Sequence, residues 1–110
     1  MIQEITTPEE LEQHIIQGSS SGVVILYCWA SWCNPCKKLK PQLHEVAGAY
    51  PDVKFYLANV DELADELLDL NVRTVPTTLQ FHKGAETGRV EGADRDQIEE
   101  LFRSANKNIA

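Results

Sequence analysis

Hydrophobic and polar positions follow two rhythms along this 110-residue chain. Val23-Val24-Ile25-Leu26-Tyr27-Cys28 is an unbroken apolar run leading into Trp29, and it predicts a strand buried on both faces. Val53-Lys54-Phe55-Tyr56-Leu57-Ala58-Asn59-Val60 predicts a second buried strand. Between them, Leu39, Leu43, Val46 and Ala47 recur at intervals of three or four, which predicts a helix over 34–49 bent by Pro41. Upstream, Ile2 to Ile5 fits a short edge strand. Thr7-Pro8-Glu9-Glu10 is a helix-start signature: a Thr cap, Pro at the first position and Glu three residues on. That helix turns Leu11, Ile15 and Ile16 inward and ends near Gly18, before the loop Ser19-Ser20-Ser21-Gly22. Asp61 is placed to cap a third helix with an apolar stripe of Leu63, Leu67, Leu68 and Leu70. Thr77 to His82, a turn at Lys83-Gly84 and a strand at 87–91 form a hairpin. A last helix begins at Asp94 and buries Ile98, Leu101 and Phe102. The order βαβαβαββα implies an α/β fold, a mixed sheet with helices on both faces.

Composition narrows the field. At this length, with 43% hydrophobic residues, the chain is expected to be one domain over 1–110, with a radius of gyration of about 13 Å. The net charge of −7 argues against nucleic acid as a partner. No apolar run approaches the roughly 20 residues that span a bilayer, and Met1-Ile2-Gln3-Glu4-Ile5 has no basic region leading into an apolar one. No membrane association and no signal peptide are therefore expected. Three cysteines are too few for a disulfide scaffold and suit a reducing compartment, hence the cytoplasm.

The chemistry gathers at Cys33-Asn34-Pro35-Cys36, where the first long strand turns into the long helix. Cysteines three apart in a first helical turn reach disulfide distance, about 5.5 Å between Cα atoms, with little backbone movement. The unpaired N–H groups and positive dipole end of that helix favour thiolate over thiol. Pro35 suits a first turn, where its missing N–H breaks no helical bond. This favours a reversible dithiol/disulfide. Two other readings stay open, half of a zinc site and an inert structural pair. A zinc site needs two more ligands, and Cys28, His14, His44 and His82 offer no second pair at knuckle spacing. An iron–sulfur site shared between two chains is a further possibility for the same pair. Lys37, Lys38 and Lys40 follow the cysteines in an otherwise acidic chain, either as a solvated helix face or as a positive field that favours the thiolate and acidic partners.

Over essentially its whole length the chain resembles the thioredoxin family. The resemblance rests on Trp29 through Lys37, Pro41, Asn59-Val60-Asp61, Val72-Arg73-Thr74-Val75-Pro76-Thr77, Phe81-His82-Lys83-Gly84 and Gly92-Ala93, in order and at similar intervals. It implies a thioredoxin fold and a protein-disulfide reductase whose only redox group is a Cys33–Cys36 disulfide, without metal or other cofactor. It implies that Cys33 is the exposed attacking thiolate and Cys36 the more buried resolving thiol. Pro76 is implied to follow a cis peptide bond opposite the cysteines, with Val75 offering backbone groups to an extended substrate. Trp32, Val75, Pro76, Gly92 and Ala93 match the apolar collar that receives partner proteins. Trp29 matches a tryptophan packed under the site near Asp61. Disulfide-containing proteins are the implied substrates, a flavin-dependent thioredoxin reductase the implied electron donor, and a monomer the implied state.

Three positions depart from the family pattern. Asn34 stands where glycine is usual between the cysteines, and that dipeptide tunes redox potential in this family. Tyr27 stands where the family places a buried Asp that assists proton transfer to the resolving cysteine. Leu57 replaces its usual Lys partner. A phenol titrating near about 10 is a poor general base at neutral pH. Tyr27 is thus expected to pack, with a water or a sulfur as alternative partners for its hydroxyl. These two losses leave room for a second reading, a binding or adaptor module with weak redox turnover. Cys28, at the end of a buried strand, reads as a small hydrophobe, with a regulatory thiol, which would need exposure and a low pKa, as the rival reading.

Overall fold

The computed structural model describes residues 2–109. Its elements are β1 (Gln3–Ile5), α1 (Pro8–Leu11) continuing as a π-helical stretch (Glu12–Gln17), β2 (Val23–Trp29) and α2 (Asn34–Ala49). β3 (Lys54–Asn59), α3 (Ala64–Asp69), β4 (Thr77–His82), β5 (Ala85–Glu91) and α4 (Arg95–Lys107) follow. The five strands form one mixed sheet in the order β1-β3-β2-β4-β5. β1 and β2 run parallel to β3, β4 runs antiparallel to β2, and β5 runs antiparallel to β4. This is a thioredoxin fold, and its radius of gyration is 12.4 Å.

β2 organises both cores, because successive side chains of a strand point to opposite faces. Val23, Ile25 and Tyr27 join Leu39, Leu43 and Val46 of α2 and Ile98, Leu101 and Phe102 of α4. Val24, Leu26 and Cys28 join Leu11, Ile15, Leu63 and Leu67 on the other side. A run apolar at every position is what a central strand covered on both faces requires.

Local signals explain most element ends. Thr7 and Glu10 form a reciprocal capping box, with Pro8 opening the helix. Lys83 (φ 55°) and Gly84 (φ 77°) are both left-handed, the pair of conformations that a tight hairpin turn needs. The hairpin strand starts at Ala85, two residues before the expected 87. The first helix departs more. It widens into π turns, and a Cβ on Gly18 would collide with the His14 carbonyl. The glycine there permits a close backbone approach rather than a special φ.

Two expectations around α3 are corrected. Asp61 does not cap it; the helix follows Leu63, which makes no side-chain cap. The Asn59 side-chain oxygen accepts the Asp61 N–H at 2.8 Å, which turns the chain before the helix begins. Leu68 is 50% exposed, although it was expected on the buried stripe. At 100° per residue Leu68 points about 140° away from Leu63, while Leu67 stays close to that line.

Candidate active site

Cys33 and Cys36 form a disulfide with their Cα atoms 5.3 Å apart. The strand β2 ends at Trp29, Ala30 is buried, and a short turn delivers Cys33 to the N-cap of α2. Cys33 keeps an extended backbone (φ −91°, ψ 103°), and its sulfur accepts the Cys36 N–H at 3.3 Å. Sulfur thus occupies the place that a serine or aspartate oxygen takes at an ordinary N-cap. The first turn of α2 holds no acidic residue. When the disulfide is reduced, negative charge on Cys33 therefore faces a backbone donor and the positive end of a sixteen-residue helix.

The two sulfurs differ in access, though less than the resemblance implies. Cys36 is 0% exposed and Cys33 only 5%, so Cys33 is not the open thiol expected. The reason lies 42 residues further on: the Cys33 sulfur sits 3.8 Å from the Val75 carbonyl oxygen, which can accept an S–H only after reduction. Val75, Trp29 and Val60 pack around Ala30 and the two cysteines.

The Val75–Pro76 peptide is cis, as the resemblance implies. The Pro76 carbonyl accepts the Gly92 N–H at 2.9 Å, tying the end of β5 to the segment beside the cysteines. Gly92 has φ 105°, a conformation that glycine adopts freely and residues with a Cβ rarely do. Trp32 is 65% exposed, and its indole N–H donates to the Asp61 carboxylate at 3.0 Å. A groove of about 350 Å³ runs from Trp32 along Val60, Val72, Arg73, Thr74 and Val75. Asn34, Pro35, Lys38 and Ala93 line a second, smaller groove on the other side of the helix start. Val60, Val72, Arg73 and Thr74 belong to the motifs that carry the resemblance but are not read from sequence as site residues, because only the folded loops bring them beside Trp32.

Trp29 lies under the site, but the Asp61 carboxylate belongs to Trp32. The Trp29 indole instead donates to Glu4 of the edge strand at 3.0 Å. Glu4 is 25 residues away in the chain, and nothing local in the sequence signals that pairing.

Below the disulfide the wall is uncharged. Tyr27 is fully buried, and its hydroxyl donates to the Cys36 backbone carbonyl at 3.0 Å. It holds neither a sulfur nor a water-facing position. Leu57 and Thr78 flank it on the neighbouring strands. Burial, with a smaller contribution from Cys28, raises the phenol above its ordinary value of 10.0. Tyr27 is therefore a hydrogen-bond donor and not a general base at neutral pH. Cys28, the third thiol, is enclosed in the opposite core, where burial pushes it up to about 12. Among the described residues no three or more His, Cys, Asp or Glu side chains are gathered to hold a metal ion.

A disulfide at the N-cap of a long helix, beside a cis-proline segment on a mixed sheet, defines a thiol-disulfide oxidoreductase of the thioredoxin fold. A family model for thioredoxin matches residues 3–104. Thioredoxin AMT13 of Alternaria alternata is 36% identical over 104 residues, covering 94% of this chain and 86% of that protein. Thioredoxin-1 of Saccharomyces cerevisiae is 33% identical over 102 residues, covering 93% and 96%. The crystal structure of thioredoxin NaTrxh from Nicotiana alata superposes with a TM-score of 0.88 at 28% identity, covering 94% and 91%. The chain belongs to the thioredoxin family, whose members act on protein disulfides through a redox-active C-x-x-C pair.

Proposed function

We propose that this chain, as one thioredoxin domain over residues 1–110, reduces protein disulfides with Cys33 as nucleophile and Cys36 as resolving thiol. The observation that carries this division is the Cys36 N–H donated to the Cys33 sulfur at the helix N-cap. A thiolate at Cys33 gains that bond and the helix dipole, while Cys36, one turn in and fully covered, lies behind it. The Cys33 thiolate attacks one sulfur of the substrate disulfide, forms a mixed disulfide and releases the other as a thiolate. The Cys36 thiolate then attacks the Cys33 sulfur, closes the Cys33–Cys36 disulfide and frees the second substrate thiol. Two electrons pass to the substrate and are restored by a donor, for which the family points to a thioredoxin reductase.

The groove from Trp32 to Val75, together with Pro76 and Gly92 beyond it and Ala93 in the second groove, is where an extended substrate segment lies in this reading. Asn34 and Pro35 shape the turn between the two sulfurs. Trp29 supports them from below and Asp61 holds Trp32. The protein works as a monomer in the cytoplasm, contributing to electron transfer and redox homeostasis. Its three cysteines, one of them left free, suit a reducing compartment, and no helix among the described residues is long and apolar enough to cross a membrane. The adaptor reading is not favoured, because the redox pair is intact and joined.

The test is reduction of a model protein disulfide with dithiothreitol as electron donor. Wild type should accelerate it, while Cys33→Ser and Cys36→Ser should both fall to the rate without protein. Sustained turnover by Cys33→Ser would overturn the assignment.

A further inference from the structure

The exposed side of α2 carries a feature that disulfide exchange does not use. Lys37, Lys40, Pro41 and His44 recur at i, i+3, i+4 and i+7 and so share one helix face. With Trp29 they line an open groove of about 570 Å³, larger than the groove beside Trp32 and within the size range of ligand sites. Its floor is apolar, made by Pro41 and the Trp29 ring. The Lys40 ammonium lies 3.9 Å from the centroid of that ring. Glu4 fixes the ring by accepting its indole N–H, and no carboxylate is among the residues that line the groove.

The charge on this face is unusual for the molecule. The chain is acidic overall, at −7, yet three of its six lysines fall within Lys37–Lys40. Glu45 is the only acidic residue of α2. Every ion pair among the described residues uses an arginine; Lys37, Lys38 and Lys40 have none. A local cationic rim over an apolar floor, on an acidic protein, complements a segment that is itself acidic and carries an apolar side chain.

We propose that this groove is a specificity site for protein substrates, receiving an acidic-apolar segment that flanks the target disulfide. The proposal rests on the reading of Cys33 and Cys36 as the reducing pair. The attacking Cys33 is the N-cap of α2, and at 1.5 Å per residue Lys40 in the middle of this face lies about 10 Å further along the helix. About three residues of extended peptide cover that distance. The site therefore reads residues roughly three positions from the attacked cysteine.

Two synthetic disulfide peptides test this, one with Asp-Leu-Glu three positions after the target cysteine and one with Asn-Leu-Gln there. The wild type should reduce the acidic peptide with a kcat/KM about fivefold higher, the scale of two exposed ion pairs. That preference should vanish in Lys37→Gln/Lys40→Gln and shrink at high salt. It should persist in Lys54→Gln/Lys83→Gln, which removes the same two charges at the far end of the sheet. The ratio matters because any effect of Lys37 on cysteine ionisation acts on both peptides alike. Equal kcat/KM for the two peptides, or a preference that survives the double substitution, overturns the proposal. A salt-sensitive dimer in sedimentation that is abolished by the double substitution also overturns it, since a second acidic copy would then occupy the groove. Failure of the wild type to reduce even the neutral peptide would instead count against the oxidoreductase reading. Anisotropy of the labelled peptides then still reads the groove: tighter binding of the acidic peptide supports it, and equal binding overturns it.

Discussion

The last residues of β2 and the first turn of α2 each bury a thiol completely, yet they make opposite chemistry. Cys28 and Cys36 are both 0% exposed. Cys28 is enclosed among Val24, Leu26, Ala58 and Leu79, and burial holds its proton. Cys36 lies under a helix start, where its own N–H is donated to the sulfur it is bonded to. Exposure therefore does not sort these cysteines. What sorts them is whether the backbone offers unpaired donors and a dipole to a sulfur anion, and only the helix terminus does.

The largest effect that would sharpen this contrast concerns alkaline stability. In the folded protein burial raises Cys28 from 9.0 to about 12. Its stabilisation is present in full below the unfolded value and is lost as pH rises, because the unfolded chain ionises first. Between about 9 and 12, this group should cost roughly 1.4 kcal/mol of stability per pH unit. Urea unfolding of the oxidised protein across that window should show the slope, and Cys28→Ala should flatten it between about 9 and 10, before the raised phenol of Tyr27 adds a slope of its own. The same variant should keep its turnover at neutral pH. A Cys28→Ala protein with an unchanged alkaline slope would show that Cys28 is not as sealed as its core implies.

Next comes the uncharged wall beneath Cys36. Tyr27→Asp should lower stability by about 1–3 kcal/mol, because it buries a carboxyl group facing the Cys36 carbonyl among apolar neighbours. It should also speed decay of the mixed disulfide near neutral pH, since a carboxylate can take the Cys36 proton as that thiol attacks. Rapid-quench kinetics on both proteins would decide this. A variant that is more stable and no faster would contradict the role given to this wall. The smallest effect is that of Tyr27→Phe. It removes only the hydroxyl bonded to the Cys36 carbonyl and should cost about 1 kcal/mol in urea unfolding.

How much of this was legible in the sequence follows from the range of the interactions involved. Contiguous signals read true. The apolar run of β2, the Thr7–Glu10 box, the Lys83-Gly84 turn and the cysteine pair at a strand-to-helix junction each carry their cause within a few residues. Features built by distant partners did not. Asp61 looked like a helix cap, but Asn59 makes the turn and Trp32 takes the carboxylate. Cys33 looked exposed until the Val75 segment folded over it. Trp29 is held by Glu4, the Tyr27 hydroxyl found a backbone carbonyl rather than a sulfur, and the π turns come with a close approach of Gly18 to the His14 carbonyl. The lysine cluster was visible from the start, but the groove that it lines with Trp29 was not.

The central claim is that the helix terminus gives the two sulfurs unequal jobs. It is tested most directly by trapping the intermediate. Reduced Cys36→Ser and reduced Cys33→Ser are each mixed with a disulfide-containing protein, quenched with acid and resolved by intact mass. The account predicts that Cys36→Ser accumulates a covalent adduct through Cys33, while Cys33→Ser forms little. Equal adducts in the two variants, or an adduct only through Cys36, would contradict it.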